Sequence, residues 1–422
     1  MLFKLNQRFI KTLINYGLLT QDEINEKLIS FIPPSFTEID YMLKPNEEIL
    51  SQIPSYIKVC FHDNIIIPEN ITKVEWTYKD FPKLHSHVTE LTFNSTLNHR
   101  FCENIIFTEK DYELIPKGLK KLKINGSFEF KESLFERLDS LEFFSSSEFI
   151  PSTYFPNTLK VLRIAENTSD VSYLTNLEEL WIKYPTNLPN VKRLKLVFEE
   201  NVEKLILPET IEELFLIGIN HIKIKNIVFP KNLKKLEIRY VDTNLDNLPQ
   251  IEELILSQNQ ASDFLPNSLK KLDFQGNYIN LENLPPNVKV LELICNDVKR
   301  IPHQIEELNI TQGLKTVILP PKLKKLDLSS NLNEYWIDVP IEHLVLYSEN
   351  LRALKKYPKK IKTLEINCGD GKIVLPKIEI KELILQGYEY QEIINIPPTT
   401  QIIKMKETNV FYHHSSIPVV YE

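Results

Sequence analysis

Leu269-Lys270-Lys271-Leu272-Asp273-Phe274-Gln275-Gly276-Asn277-Tyr278-Ile279 is the stretch that decides the fold. Counting Leu269 as frame position one, apolar residues stand at positions one, four, six and eleven and an Asn at nine. The alternation through positions three to seven is that of a short strand with one buried face. The same apolar frame starts at Ile71, Val88, Leu119, Leu138, Leu159, Leu177, Val191, Ile211, Leu233, Ile251, Leu269, Val288, Ile305, Leu323, Ile341, Ile361 and Ile380. From Ile211 to Ile380 nine intervals span 169 residues, about 19 each, which makes the chain a repeat array. Such a repeat holds a short strand and its turns but has no room for a long crossover helix. The wider gap between Val88 and Leu119 is expected to hide a degenerate rung near residues 101–107, and Ile57, Val59 and Phe61 an earlier one.

An apolar-Pro step precedes most frames, as in Ile115-Pro116, Leu207-Pro208, Leu265-Pro266 and Leu319-Pro320. Proline lacks the N–H and pushes the preceding residue towards extended geometry, so it suits a segment outside the ladder that turns into the next strand. Positions four and six should point into the core, and three, five and seven should line the opposite face. Asn at position nine recurs as Asn167, Asn259, Asn277, Asn296 and Asn331. A buried amide there would bond backbone groups freed where the chain leaves the strand, a structural Asn ladder.

These residues resemble the leucine-rich repeat of the short LPxxLxxLxL kind. The array is similar to repeats of bacterial-type effectors and to those of giant DNA viruses of amoebae (mimivirus-like) and of social amoebae. FNIP-type repeats resemble it less, because their Phe-Asn step is not regular here. The resemblance implies an α/β-type repeat solenoid, curved and right-handed. Its concave sheet would be parallel, its convex side extended or short 3-10, and its function protein binding.

Residues 1–50 lack the frame. Phe3, Leu5, Phe9, Ile10, Leu13 and Ile14 have helical spacing, Gly17 is a stop, and Thr20 with Glu23 forms a capping-box pattern. A small helical N-terminal cap over 1–50 is expected, then a solenoid over 51–405 and a closing segment over 406–422, since an uncovered solenoid end exposes core.

With 50 Lys+Arg against 57 Asp+Glu, the formal charge of −7 argues against a general nucleic-acid-binding surface. No run of about 18 apolar residues marks a membrane span, and no signal peptide opens the chain, so a soluble, cytoplasmic protein is expected, in the host cytoplasm if viral. At positions two and three, neighbouring rungs alternate in sign, as in Lys234-Lys235, Glu252-Glu253 and Lys270-Lys271. Alternation reads as a solvated ladder that discourages register slips. Position five is different: Arg163, Trp181, Lys195 and Phe215 give way to Glu237, Asp273, Glu292 and Asp327. Those residues, with Tyr347 at position seven, are the candidate partner-binding set, because exposed aromatics on a preformed surface dominate interface energies.

Catalytic and metal chemistry finds little purchase. Gly369-Asp370-Gly371-Lys372 lacks the spacing of a phosphate loop, and His413-His414 and His85-x-His87 lack further ligands at metal-binding spacing. The four Cys form no CxxC pair. No catalytic residue, cofactor or metal is assigned. The expected function is a non-enzymatic scaffold holding a protein partner on the concave face. A substrate-recognition subunit of a ubiquitin ligase, with residues 1–50 on an adaptor, is the alternative.

Overall fold

The structure, a computed structural model, describes residues 38–41, 50–51, 53–61, 66–76, 84–94, 105–106, 112–126, 128–129, 133–146, 155–164, 170–183, 187–257, 265–276, 279–294, 298–310, 317–328, 335–337, 339–348, 351, 354–367, 371–386, 391–406, 411–412 and 417–421. They belong to two compact units. The N-terminal unit is drawn from Leu5–Phe198 and Leu207–Glu212, the C-terminal unit chiefly from Glu199–Ile206 and Glu213–Glu422. The boundary falls inside the span expected as one solenoid.

In the N-terminal unit the strands Glu38–Tyr41, Lys58–Phe61, Lys73–Trp76, Glu90–Asn94, Lys121–Asn125, Phe143–Ser146, Val161–Ile164, Glu179–Lys183 and Arg193–Phe198 pair in sequence order, each parallel to the next. The C-terminal unit repeats the arrangement from Glu213–Ile227 through Lys235–Thr243, Glu253–Ser257, Lys271–Gln275, Val290–Ile294, Glu307–Ile310, Lys325–Leu328, His343–Tyr347, Lys360–Asn367, Glu379–Gln386 and Ile402–Lys406 to Val419–Tyr421. Register is kept by frame position, so Leu254, Leu272, Leu291, Leu308 and Leu326 stack as one column. These columns are buried, as are the position-six residues Leu256, Phe274 and Leu293, each contributing about 1.5–3 kcal/mol. Each unit is a leucine-rich-repeat solenoid.

The apolar-Pro step becomes a β-turn. The proline carbonyl accepts from the N–H of position one, three residues on, at 3.1 Å for Pro116 and Leu119, 3.0 Å for Pro266 and Leu269 and 3.1 Å for Pro285 and Val288. Directly afterwards, the position-two carbonyl of one rung accepts two N–H groups of the next. Glu252 O takes Lys270 N–H at 2.8 Å and Lys271 N–H at 3.1 Å. The residue just before position one adds a side-chain clamp. Thr158 Oγ1 donates to Leu141 O at 2.8 Å, Thr210 Oγ1 to Val191 O at 3.0 Å and Ser268 Oγ to Ile251 O at 2.7 Å.

Three expectations change. The rung expected to start at Leu138 starts at Leu141, because Phe143 is paired with Lys121 and Val161. Leu138 and Leu141 are both buried and three residues apart, so each satisfies the first step of the frame. Among the described residues no further strand of the main sheet stands between Glu90–Asn94 and Lys121–Asn125. Glu90–Asn94 pairs directly with Lys121–Asn125, and Ile105–Ile106 pairs instead with Phe128–Glu129 in a separate sheet. Finally, strands lie within both flanking segments, Glu38–Tyr41 in the span expected as a helical cap and Val419–Tyr421 in the expected closing segment. The helical pattern at residues 3–29 lies outside the described residues, as do all five Asn of the expected ladder.

Away from the main strands the described residues include a one-turn helix, Ser133–Glu136, and further short parallel pairings. Val202–Leu205 runs beside residues 224–227, and Gly371–Val374 beside Gln391–Ile394. The 3-10 turn Leu281–Asn283 is capped by Asn280, whose side chain accepts from the Glu282 N–H. At the corner of Glu213–Ile227 the register shifts between Ile217 and Ile222, and Tyr240 takes φ 56° opposite it. Gly218 is required there: a Cβ on it would lie 2.3 Å from the Tyr240 carbonyl oxygen.

Candidate binding surface

The alternating burial of the strands leaves positions three, five and seven on the outward face of each sheet. In the N-terminal unit this face carries a row of alternating cations and rings. Lys121 Nζ lies 5.0 Å from the Phe143 ring centroid, and the Arg163 guanidinium 5.5 Å from the same ring on its way to Trp181. Arg163 stands 4.0 Å and Lys195 Nζ 4.6 Å from the Trp181 ring, one from each neighbouring strand. Cation–π attraction of about 0.5–2 kcal/mol per contact holds these long side chains in place.

Beneath the row lies Glu179, at position three and only 2% exposed. Arg163 binds its Oε1 at 2.6 Å and Arg193 its Oε2. The alternating charge pattern is therefore not solvated throughout; in this rung the position-three carboxylate is buried and held by two arginines. Position two does follow the solvated reading. Lys160 meets Glu142 at 2.8 Å, Lys270 meets Glu252 at 2.8 Å and Lys324 meets Glu306 at 2.5 Å. The hydrogen bond from its lysine is the leading cause that holds each of these three carboxyls below its usual value.

The C-terminal unit presents a different face. Phe215 has Lys235 5.9 Å above its ring. Glu237 pairs with Arg239 at 2.5 Å and Glu292 with Lys271 at 2.6 Å, so two of the expected acidic contact residues are already neutralised. Asp273 is 9% exposed, and burial pushes its carboxyl up while the Gln275 amide, at 3.3 Å, acts against the shift. Asp327 follows in the same column, paired in register with Asn309 and Val345. Tyr347, at position seven, is exposed. Further along, Glu365 accepts from His343 at 3.0 Å, and this hydrogen bond is the leading cause of a lowered carboxyl value, with burial opposing it and Lys406 assisting.

Sequence reasoning found Arg163, Trp181 and Lys195 but missed Phe143, Lys121, Glu179 and Arg193. Phe143 was lost through the three-residue frame error, which moved it off position three. His85, weighed as a metal ligand, has its Nε2 2.7 Å from the Pro68 carbonyl and accepts the His87 N–H at Nδ1, so both ring nitrogens are engaged by backbone. Among the described residues no group of three or more His, Cys, Asp or Glu is placed to hold a metal ion. No helix among them is long and apolar enough to cross a membrane.

No protein-family profile matches the chain, and no curated protein does. Solved structures similar to it are leucine-rich-repeat proteins. CroV588, a circular leucine-rich-repeat protein from a giant virus, is 16% identical over 89% of this chain and 67% of its own, with a TM-score of 0.41. The leucine-rich-repeat domain of APL1 is 14% identical over 85% of this chain and 86% of its own, with a TM-score of 0.29. Likenesses at this level concern the fold, whose evidence is the strand register itself.

Proposed function

We propose that the protein is a non-enzymatic interaction scaffold that holds a protein partner on the outward sheet face of its repeats. The observation that carries this reading is the cation–ring row, in which Lys121, Phe143, Arg163, Trp181 and Lys195 are fixed by one another across successive strands. Side chains already ordered before binding lose little rotamer freedom when a partner docks. Phe215 and Tyr347 give the C-terminal unit aromatic contacts of its own.

The test begins with capture and identification of a partner on the full chain. Its affinity is then measured for Trp181→Ala, Phe215→Ala and Tyr347→Ala, and for Lys225→Glu as a control beyond the corner of Glu213–Ile227, where Lys225 pairs with Glu203 at 2.6 Å. At least one outward-face variant should weaken binding about tenfold, roughly 1.4 kcal/mol, with the control unchanged. Binding that survives all three and fails in the control would place recognition elsewhere.

A further inference from the structure

The outward face of the N-terminal unit is unbalanced in charge. Among the described residues from Lys121–Asn125 to Arg193–Phe198, Lys121, which Glu90 of the preceding strand meets at 3.5 Å, Lys123, Arg163, Arg193 and Lys195 occupy outward positions against one acid, Glu179. Both oxygens of that acid are taken by Arg163 and Arg193. Lys123 and Lys195 make no ion pair among the described residues. The C-terminal unit shows the contrast, since its outward charges are largely paired within the sheet. Lys195, held against the Trp181 ring rather than by a carboxylate, keeps its charge and its N–H donors for a ligand.

Two features define what that ligand must be. The first is that the rings cannot act as stacking platforms: Arg163 and Lys195 stand over Trp181 from its two neighbouring strands, and Lys121 and Arg163 over Phe143. Single-stranded nucleic acid binds such surfaces by laying bases on free aromatic faces, and the row offers none. The second is spacing. Arg163 and Lys195 are two strands apart along one column, about 9.6 Å at the usual strand separation, and Lys123 precedes Arg163 by two strands in the same column. A polyproline II segment advances about 9.3 Å per three-residue turn, so acids at every third residue would meet this row in register.

We infer that the outward column Lys123–Arg163–Lys195, with the Trp181 ring between its last two cations, docks an extended acidic protein segment whose carboxylates recur every third residue. The inference rests on the scaffold reading and names the chemistry of the partner. Association should be steered by charge and weaken as salt rises.

The probe is a fluorescently labelled peptide of about four Glu-Pro-Pro units, titrated by anisotropy against the full-length protein. Comparison ligands are the Lys-Pro-Pro peptide, an acidic peptide of the same charge with its glutamates contiguous, and a single-stranded RNA of equal charge. The Glu-Pro-Pro peptide should bind at least about threefold more tightly than the contiguous acidic peptide, and the Lys-Pro-Pro peptide should not bind. Lys195→Glu and Lys123→Glu, each checked for fold by circular dichroism, should weaken the complex at least about tenfold. Absence of Glu-Pro-Pro binding, binding by the variants as tight as by the parent protein, or tighter binding of RNA overturns the inference. If a captured partner is nevertheless lost on Trp181→Ala, the scaffold reading stands and only the acidic-segment assignment fails.

Discussion

Asp273 and Glu365 sit at the same frame position and answer protons in opposite directions. Burial raises the Asp273 value above its unfolded one, so its contribution to stability is fully present below the usual carboxylate range and is lost as pH rises through the folded value. Asp273→Asn should therefore raise the urea midpoint at pH 7 by up to about 0.5 M, with the gain vanishing near pH 3. The hydrogen bond from His343 lowers the Glu365 value, so its contribution is present at neutral pH and lost as pH falls through the folded value. Glu365→Gln should lower the midpoint at pH 7 and converge on the parent in acid. Shifts of the same sign in the two variants would contradict these surroundings. Glu179 sets a different test. Glu179→Gln keeps the shape but leaves Arg163 and Arg193 without their counter-charge, at a cost of about 2 kcal/mol by urea denaturation. That is less than for a fully buried pair, because both arginines keep solvent access.

Within a rung, ladder, clamp and corner each make a separable contribution. Adding a methyl group at Gly218 would drive it into the Tyr240 carbonyl, so Gly218→Ala should cost about 1–3 kcal/mol and loosen the corner of Glu213–Ile227. A loss of less than about 0.5 kcal/mol would mean that the two strands part easily there. Lys270→Glu places two carboxylates side by side with Glu252, and the Glu252→Lys/Lys270→Glu exchange should recover most of the small fall in urea midpoint. Lys271 is not expected to follow, since it reaches Glu292 on the next rung rather than Glu253 on the previous one. The strand frame was legible in sequence because a period of two fixes which side chains are buried, and Leu272 and Phe274 are both sealed in the core. The Leu138 frame failed because a second leucine at Leu141 makes the one-to-four step ambiguous, and only the pairing of Phe143 resolves it. Thr158, Thr210 and Ser268 carried a readable signal, a small hydroxyl just before position one, that went unused. The cation–ring row was only half legible. Which ring a long cation covers depends on side-chain conformation across rungs, and linear spacing does not encode that.

Within each unit the described strands pair with the rungs before and after them, so stability is a chain of nearest-neighbour terms. Leu272→Asp buries a carboxylate between Leu254 and Leu291 and should cost about 3 kcal/mol or more. Hydrogen exchange should locate the damage. Protection should fall most in Glu253–Ser257, Lys271–Gln275 and Val290–Ile294, and least in strands of the N-terminal unit. Uniform loss across both units would show that the repeats unfold as one body.

The rung between Val88 and Leu119 spans 31 residues where others manage with about 19, yet Leu91 still lies opposite Leu122. Doubling a flexible connection costs only about 0.6 kcal/mol, while a slip of one residue in the strand would turn every core side chain outward. Length on that side of the molecule is thus nearly free to drift, and order in the strands is not. Genes of this design can accept insertions between strands as readily as a bound book accepts slips between its pages, and foreign epitopes or reporter segments spliced at residues 95–104 should leave the reading surface in place.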